Sequence, residues 1–172
     1  MSTTIPFQGV MFHLVETPAD IQIVADLAVP IWREQFTPII GSEQVAYMLE
    51  AWQSPAAIKD QMHQGTRYYL VELQQTPIGY LAWIPTEDGN AKISKFYLLH
   101  DYHGQGYAGI MMSFIEQKAR EAKMQTLWLQ VNRHNHRAIA FYRKCGFQTL
   151  RDRLEEIAPG YYIDDHIMEK SL

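Results

Sequence analysis

A glycine-rich segment lies between a strand pattern and a helix pattern in the middle of the chain, and it limits the fold more than any other stretch. Residues 93–99 are β-rich, Gly104, Gly106 and Gly109 follow, and an amphipathic pattern then continues to Lys123. Glycines let backbone N–H groups approach a ligand closely, and a helix N-terminus carries partial positive charge. The sequence therefore predicts a strand, a loop that can hold a pyrophosphate without basic side chains, and a helix.

The same three glycines match G-x-G-x-x-G, the fingerprint of dinucleotide-binding domains. In those domains the glycines follow the first strand, whereas here they lie mid-chain and only 63 of the 172 residues follow Gly109. The acidic residue about 20 positions later should end the next strand, but Glu121 falls within the helix pattern. A nucleotide-dependent oxidoreductase is therefore the weaker interpretation, and a glycine-rich turn that binds nothing is a further alternative.

The hydrophobic patterns along the chain predict the order strand, helices, three strands, helix, strand, helix and two strands. Thr17 and Pro18 begin the first helix, and Pro30 predicts a kink in it or two separate pieces. We expect residues 1–9 to be a loose lead-in within a single domain over residues 1–172. The predicted fold class is α/β, with three layers: a mixed central sheet of about seven strands and helices on both faces.

Composition excludes several other classes of protein. The chain has 172 residues, a formal net charge of −4 and a hydrophobic fraction of 47%, which fits one globular domain with a sizeable core. The acidic balance argues against a nucleic-acid partner, and no apolar run reaches the roughly 20 residues that cross a membrane. Cys145 is the single cysteine, and no Lys or Arg precedes Arg33, so we expect a cytoplasmic protein without a secretory signal.

A second motif follows the glycine loop by about thirty residues. Residues 135–147 have the form N-x-x-A-x-x-x-Y-x-x-x-G-F. Asn135 is placed to begin a helix, and Tyr142 lies seven residues later, which is about two helical turns. Both side chains therefore project along one face of the predicted helix.

These two segments at this separation resemble the two signature motifs of the GNAT superfamily of acetyl-CoA-dependent N-acetyltransferases. Residues 104–108 resemble its pyrophosphate loop, and residues 135–147 resemble its second motif. The resemblance is best over residues 67–146 and extends to the whole chain in the order of elements. The family loop usually opens with Arg or Gln, whereas here it opens with His103. This difference concerns one side-chain contact to the phosphate, and the backbone donors of the loop remain.

The resemblance implies a role for each matched position, with acetyl-CoA as co-substrate. Main-chain groups of Tyr97 and Leu98, at a splay between two parallel strands, would hold the pantetheine arm and the thioester. Asn135 would hydrogen-bond to the pantetheine arm, and Lys144 would contact the cofactor. Tyr142 would bind the cofactor and donate a proton to the departing CoA thiolate. The pyrophosphate would bind the segment His103, Gly104, Gln105, Gly106, Tyr107, Ala108 and Gly109.

The chemistry of acyl transfer agrees with these roles but leaves the general base open. A backbone N–H can stabilise the oxyanion, and a phenol with a pKa near 10 keeps its proton at neutral pH and can donate it. Gln130 stands where some relatives carry a Glu, and Ser94 and Lys95 stand where others carry an acid. A water chain, or an amine that arrives neutral, remains an alternative to a side-chain base. The side-chain candidates are Glu72, Asp164, Asp165 and His166.

The acceptor is predicted less directly than the donor. The first helices carry four aromatic residues that we expect to wall an acceptor pocket: Trp32, Phe36, Tyr47 and Trp52. Residues 31–49 loosely resemble bacterial polyamine acetyltransferases, so a small polyamine-like amine is favoured, then a peptide or protein amine, then a xenobiotic amine. The alternative is an acyl-CoA-binding regulatory module with little catalysis. We also expect a homodimer, as is frequent in the family.

Two pairs of histidines could suggest a metal site. They are His100 with His103 and His134 with His136. Their spacing fits no standard zinc pattern, and a single cysteine provides no thiolate pair. We therefore expect no metal.

Overall fold

The computed structural model describes residues 3–172, which form eight β-strands and five α-helices. The strands are β1 (Thr4–Phe7), β2 (Val10–Leu14), β3 (Arg67–Leu73), β4 (Thr76–Pro85), β5 (Ala91–Leu98), β6 (Thr126–Asn132), β7 (Gln148–Ala158) and β8 (Tyr161–Ser171). The helices are α1 (Pro18–Ile40), α2 (Ser42–Gln53), α3 (Pro55–His63), α4 (Tyr107–Glu121) and α5 (His136–Lys144). A 3-10 turn, His100–Tyr102, precedes the glycine loop.

All eight strands belong to one sheet in the order β1-β2-β3-β4-β5-β6-β8-β7. Neighbouring strands are antiparallel except β5 and β6, which are parallel and are connected through α4. Helices α1 to α3 pack on one face of the sheet, and α4 and α5 pack on the other. The predicted three-layer α/β architecture with a mixed sheet is confirmed, with eight strands where about seven were expected. This strand order also excludes the doubly wound sheet of a dinucleotide-binding domain.

The additional strand lies where the sequence predicted a loose lead-in. Within residues 1–9, Thr4–Phe7 forms β1 and pairs antiparallel with β2, so the prediction is wrong for these residues. Met1 and Ser2 lie outside the described part of the chain. β1 has four residues, which is too few to give a clear strand pattern in the sequence. Gln8 and Gly9, both with positive φ, form the two-residue hairpin turn between β1 and β2.

The first helix does not divide at Pro30. It runs without interruption from Pro18 to Ile40 and contains Pro38 as well, so the prediction of two pieces is wrong. Pro30 removes the backbone donor to the carbonyl of Asp26, but both residues are exposed, which lets water bind that carbonyl. Apolar residues on both sides of Pro30, such as Ala28 and Ile31, stay buried against the sheet and hold the helix in place.

Strands β5 and β6 diverge after a short region of contact. They pair at only three positions, from Ala91 opposite Leu127 to Ile93 opposite Leu129. Beyond this region β5 continues to pair with β4, and β6 continues to pair with β8. The two parallel strands therefore form the splay that the family resemblance implied.

A β-bulge in β5 determines which side chains face the splay. Lys95 lies opposite Ala82 and Ile93 lies opposite Trp83, so Ser94 is an extra residue. Because side chains alternate along a strand, the extra residue turns Lys95 to the face covered by α1 to α3. Tyr97 is on the same face and packs against α1.

None of the helices within residues 3–172 combines the length and the apolarity that a bilayer crossing requires.

Candidate active site

A large cleft of about 1330 Å³ opens where β5 and β6 diverge. Its loop half is lined by the glycine loop, α4 and α5. Its helix half is lined by α1, α2 and the side chains of β5, β7 and β8 that face these helices. The cleft therefore brings both sequence motifs together with the first helices of the chain.

The glycine loop presents backbone donors to the loop half. Gly104 and Gly106 have φ of 73° and 90°, a region that favours glycine, and a Cβ at either position would extend into open space. Gly106 precedes α4, and the first backbone bond across the start of α4 runs from the N–H of Ile110 to the carbonyl of Gly106 (3.2 Å). The preceding N–H groups of the first turn have no intrahelical partner. This arrangement fits a pyrophosphate.

His103 opens the loop, but its side chain turns back to the strand. Its Nε2 lies 2.8 Å from the carbonyl oxygen of Leu98, so Nε2 carries the hydrogen and donates it. Burial lowers the pKa of His103, which favours the neutral ring. The histidine therefore ties the end of β5 to the loop.

The end of β5 directs a backbone N–H into the splay. The N–H of Leu99 donates to the carbonyl of Ile78 on β4 (2.9 Å). Because N–H groups alternate in direction along a strand, the N–H of Leu98 points to the opposite edge, between β5 and β6. Gly79 lies directly beside this point, since a Cβ there would be 2.4 Å from the carbonyl oxygen of Tyr97. A glycine is thus required for the close approach of β4.

Helix α5 presents the two residues of the second motif. Asn135 caps this helix by accepting a hydrogen bond from the N–H of Ala138 (3.3 Å), which occupies its side-chain oxygen and leaves the amide nitrogen for a ligand. Tyr142 is 8% exposed and lines the cleft, and its ring packs edge-on against Phe96 and Phe147. Burial raises the pKa of Tyr142 above its ordinary value. Tyr142 therefore holds its proton at neutral pH.

The other predicted residues are distributed unevenly around the cleft. Ala108, Gly109 and Lys144 line it. The side chain of Gln105 instead donates to the carbonyl of Asp101 (2.7 Å), and the ring of Tyr107 packs against Tyr102. Gln105 and Tyr107 can therefore contribute backbone groups to the loop.

The helix half contains a wall of aromatic residues and a set of charges. The wall consists of Trp32, Phe36 and Trp52, whereas Tyr47 is exposed and packs against Tyr161. The charged side chains that line this half are Glu34, Lys92, Lys95, Arg153, Glu155 and Asp165. Glu155 is paired with Arg153.

Comparison with known proteins agrees with this geometry. Residues 27–147 match the Acetyltransferase (GNAT) family. The chain belongs to this family. An uncharacterized N-acetyltransferase of Mycobacterium bovis is 30% identical to this GNAT chain over 136 residues, which are 78% of this chain and 86% of the relative. The protein is thus an acetyl-CoA-dependent N-acetyltransferase, and the identification made from the two motifs is confirmed.

Solved structures show the same GNAT fold. The PaiA N-acetyltransferase of Thermoplasma acidophilum, crystallised with coenzyme A, superposes with a TM-score of 0.76 at 18% identity, over 94% of this chain and 99% of the other. A spermidine N-acetyltransferase chimera from Vibrio cholerae superposes with a TM-score of 0.70 at 18% identity, over 95% of this chain and 96% of the other.

One of the side-chain bases considered for this GNAT chain lines the cleft. It is Asp165, whose pKa burial raises to about 6. Asp164 is bound to Arg133 (2.9 Å), His166 lies 2.6 Å from Asp152, and Glu72 pairs with Met11 at the far side of the sheet. The sequence did not distinguish Asp165 from the other three candidates, because the register of the strands decides which of the four side chains faces the cleft.

Lys92, Lys95 and Arg153 are among the side chains of the GNAT cleft that the sequence analysis did not predict as site residues. The bulge at Ser94, which turns Lys95 into the helix half, has no signal in the local sequence. Lys92 lies on β5 and Arg153 lies on β7. Whether their side chains face the cleft depends on how the four strands β5, β6, β8 and β7 pair in the sheet.

The first histidine pair lies at the glycine loop and lines the cleft, and the second lies at the start of α5. The ring centroids of His100 and His103 are 5.3 Å apart, and those of His134 and His136 are 6.5 Å apart. Over residues 3–172, no three His, Cys, Asp or Glu side chains group in a way that could hold a metal ion.

Proposed function

We propose that this enzyme transfers the acetyl group of acetyl-CoA directly to a primary amine, with Tyr142 as the proton donor to the CoA thiolate. The observation that carries the proposal is the single cleft in which the glycine loop, the Leu98 N–H and Tyr142 meet. It is continuous with the helix half, where an acceptor can enter. The amine therefore reaches the thioester without a covalent acyl-enzyme.

The loop half supplies the contacts for the donor. Backbone N–H groups from Gly104 to Gly109 bind the pyrophosphate, and Lys144 adds a positive charge at the edge of the cleft. The amide nitrogen of Asn135 binds the pantetheine arm, and the N–H of Leu98 faces the thioester. The main chain of Tyr97, which the resemblance also implied, is instead directed at β4, since its carbonyl oxygen lies beside Gly79. The chemistry that acetyl-CoA supplies when bound is an activated acyl group with a thiolate as leaving group.

Each step of the transfer has a residue of this chain beside it. As the C–N bond forms, the N–H of Leu98 donates to the negative charge that develops on the carbonyl oxygen. As the C–S bond breaks, the hydroxyl of Tyr142 gives its proton to the sulfur. Asp165 accepts the proton of the amine, because a carboxylate with a pKa of about 6 is ionised at neutral pH and still basic.

Cys145 supports the direct route. It is the free thiol of the described chain, it is half-buried, and burial raises its pKa. A thiol that keeps its proton is a poor nucleophile, so an acetyl-cysteine intermediate has no support here.

The charges of the helix half modify the acceptor preference that the sequence suggested. A polyamine carries at least one ammonium group besides the amine that reacts. The helix half contains three cationic side chains, Lys92, Lys95 and Arg153, and three carboxylates. Glu155 is paired with Arg153 and the exposed Glu34 lies 3.7 Å from His100, so Asp165 is the carboxylate of this half that joins none of the ion pairs within residues 3–172. An amine without a second positive charge therefore fits this half better than a polyamine does.

Acetylation of a defined amine panel tests the proposal. The purified protein is mixed with acetyl-CoA and with polyamines, amino acids, N-terminal and lysyl peptides or aminoglycosides, and thiol release and product mass are measured. We expect a gain of one acetyl group on one class of amine. Acetyl-CoA binding without transfer to any amine would favour the alternative, a regulatory acyl-CoA-binding module.

A further inference from the structure

Lys95 lies at the bottom of the helix half, enclosed by protein. It is 9% exposed and still lines the cleft. Its Nζ donates to the carbonyl oxygen of Trp52 at 3.4 Å, which is a long contact. An ammonium group has three donors, so two of them have no partner within residues 3–172.

The polar groups around Lys95 form a polar floor, which we define as Gln53, Gln61, Thr66 and Lys95. Their side-chain amide oxygens are used within the protein. The carbonyl of Trp52 accepts from Gln61 (3.1 Å) as well as from Lys95, and the side-chain oxygens of Gln53 and Gln61 accept from tyrosine hydroxyls. The groups left for a ligand are two donors, the Lys95 ammonium and the amide nitrogen of Gln53, and the hydroxyl of Thr66, which can donate or accept.

The protein supplies no counter-charge for Lys95. The ion pairs within residues 3–172 do not include it, and burial together with nearby Lys92 lowers its pKa to about 7. A buried charge without a partner is costly. A carboxylate bound on the polar floor would supply the missing charge and accept from the unused donors.

We propose that the acceptor of this enzyme carries a carboxylate in addition to its primary amine, and that Lys95, together with the amide of Gln53, binds this carboxylate on the polar floor. The inference rests on the proposed function, since it concerns the amine that the enzyme acetylates. Lys95 and Asp165 are not paired with each other. Their opposite charges therefore remain available for the two ends of one acceptor, its carboxylate at Lys95 and its amine at Asp165.

Matched pairs of amines test this specificity. Glycine, β-alanine, γ-aminobutyrate and a set of larger α-amino acids are each compared with the corresponding amide, which lacks the negative charge. If the carboxylate forms a charged hydrogen bond of ordinary strength, kcat/KM should be about tenfold to a hundredfold higher for the carboxylate than for its amide in at least one pair. No preference for any carboxylate member would overturn the proposal.

The variant Lys95→Met tests whether the preference for carboxylate-bearing amines comes from the polar floor. It keeps the length of the side chain and removes the charge, so we expect the ratio of kcat/KM between the two members of a pair to approach one, with the KM for acetyl-CoA unchanged. This ratio cancels differences in amine basicity when variant and wild type are compared. Lys59→Met, at an exposed lysine of α3, is the control and should keep the wild-type ratio.

Two other outcomes are distinguishable. If Lys95→Met lowers kcat equally for both members of every pair, Lys95 acts in proton transfer and the carboxylate proposal is overturned. If no amine is acetylated, the proposed function fails, and calorimetric titration of the CoA-bound protein with the same pairs still decides the inference. Selective binding of the carboxylate members that is lost in Lys95→Met supports the polar floor, and equal binding overturns it.

Discussion

The two halves of the cleft are built by different means. The loop half is made of backbone groups: the N–H donors of residues 104–109 and the Leu98 N–H. The helix half is made of side chains, of which Lys95, Trp52 and Asp165 come from three distant parts of the chain. A backbone site serves one invariant ligand, whereas a side-chain site can be changed by substitution without altering the fold. In the proposed mechanism the donor is therefore bound by backbone groups and the acceptor by side chains.

The largest expected effect concerns the point where the two halves meet. Tyr142→Phe removes the proton donor while the buried ring is retained, so kcat should fall by about a hundredfold or more. The dissociation constant for acetyl-CoA, measured by calorimetry, should change little. Tyr69→Phe, at a tyrosine that is 5% exposed and lies outside the cleft, is the control. An unchanged kcat in Tyr142→Phe would exclude the proton-donor role.

A second effect of similar size is expected in the helix half. Asp165→Asn removes the group that we assign to the amine proton, and kcat should fall by about a hundredfold. In the wild type, kcat should rise as the pH increases through about 6, because the carboxylate must lose its proton before it can accept another. The variant should lose this inflection, which a pH profile at saturating substrates would show.

Asp164→Asn provides the matched control for that profile. Burial is the main cause of the raised pKa of Asp165, the neighbouring Asp164 raises it further, and Arg153 and Lys92 lower it. Removing the negative charge at position 164 should therefore move the inflection to lower pH and leave the plateau value of kcat unchanged. An inflection that does not move would assign it to another group, such as the acceptor amine.

A smaller effect, on binding alone, is expected in the loop half. Gly106→Ala places a Cβ on a residue with φ of 90°, which costs about 1–2 kcal/mol. If the loop avoids this cost by changing its conformation, the dissociation constant for acetyl-CoA should rise by about tenfold. Gly89→Ala introduces similar strain (φ 78°) in a turn far from the cleft, so it should lower the melting temperature and leave acetyl-CoA affinity unchanged.

The difference between backbone and side-chain sites also explains which parts of the cleft could be predicted from the sequence. The geometry of the loop half was predictable because it depends on glycines, a helix start and one strand, all contiguous from residue 93 to residue 109. The second motif was equally local, since Asn135 and Tyr142 share a helix face. The order of helices and strands along the chain followed from the pattern of apolar residues and turns, except at β1, which is too short to give a periodic signal.

The helix half could not be predicted in the same way. Lys95 would face α4 and α5 in a regular strand, and the bulge at Ser94 turns it to the other face. Asp165 faces the cleft because of its register against Asn132 and Arg153. Both features depend on pairings between strands that are distant in the chain, and neither is written in the local pattern of hydrophobic residues.

The smallest expected effect is on the stability of the fold. It tests whether the buried Lys95 ammonium lowers the free energy of unfolding. Folding lowers the pKa of Lys95 from 10.5 to about 7, so between these values the unfolded chain binds more protons and stability rises with pH. Lys95→Met should remove this rise and, at pH 7, stabilise the protein by about 1 kcal/mol, which corresponds to about 2–4 °C in Tm for a chain of this size. Thermal melts from about pH 7 to about pH 10, beside the exposed control Lys59→Met, would show it. A Tm that falls in Lys95→Met would mean that the ammonium group contributes to the fold, and that the helix half, like the loop half, is stable without its ligand.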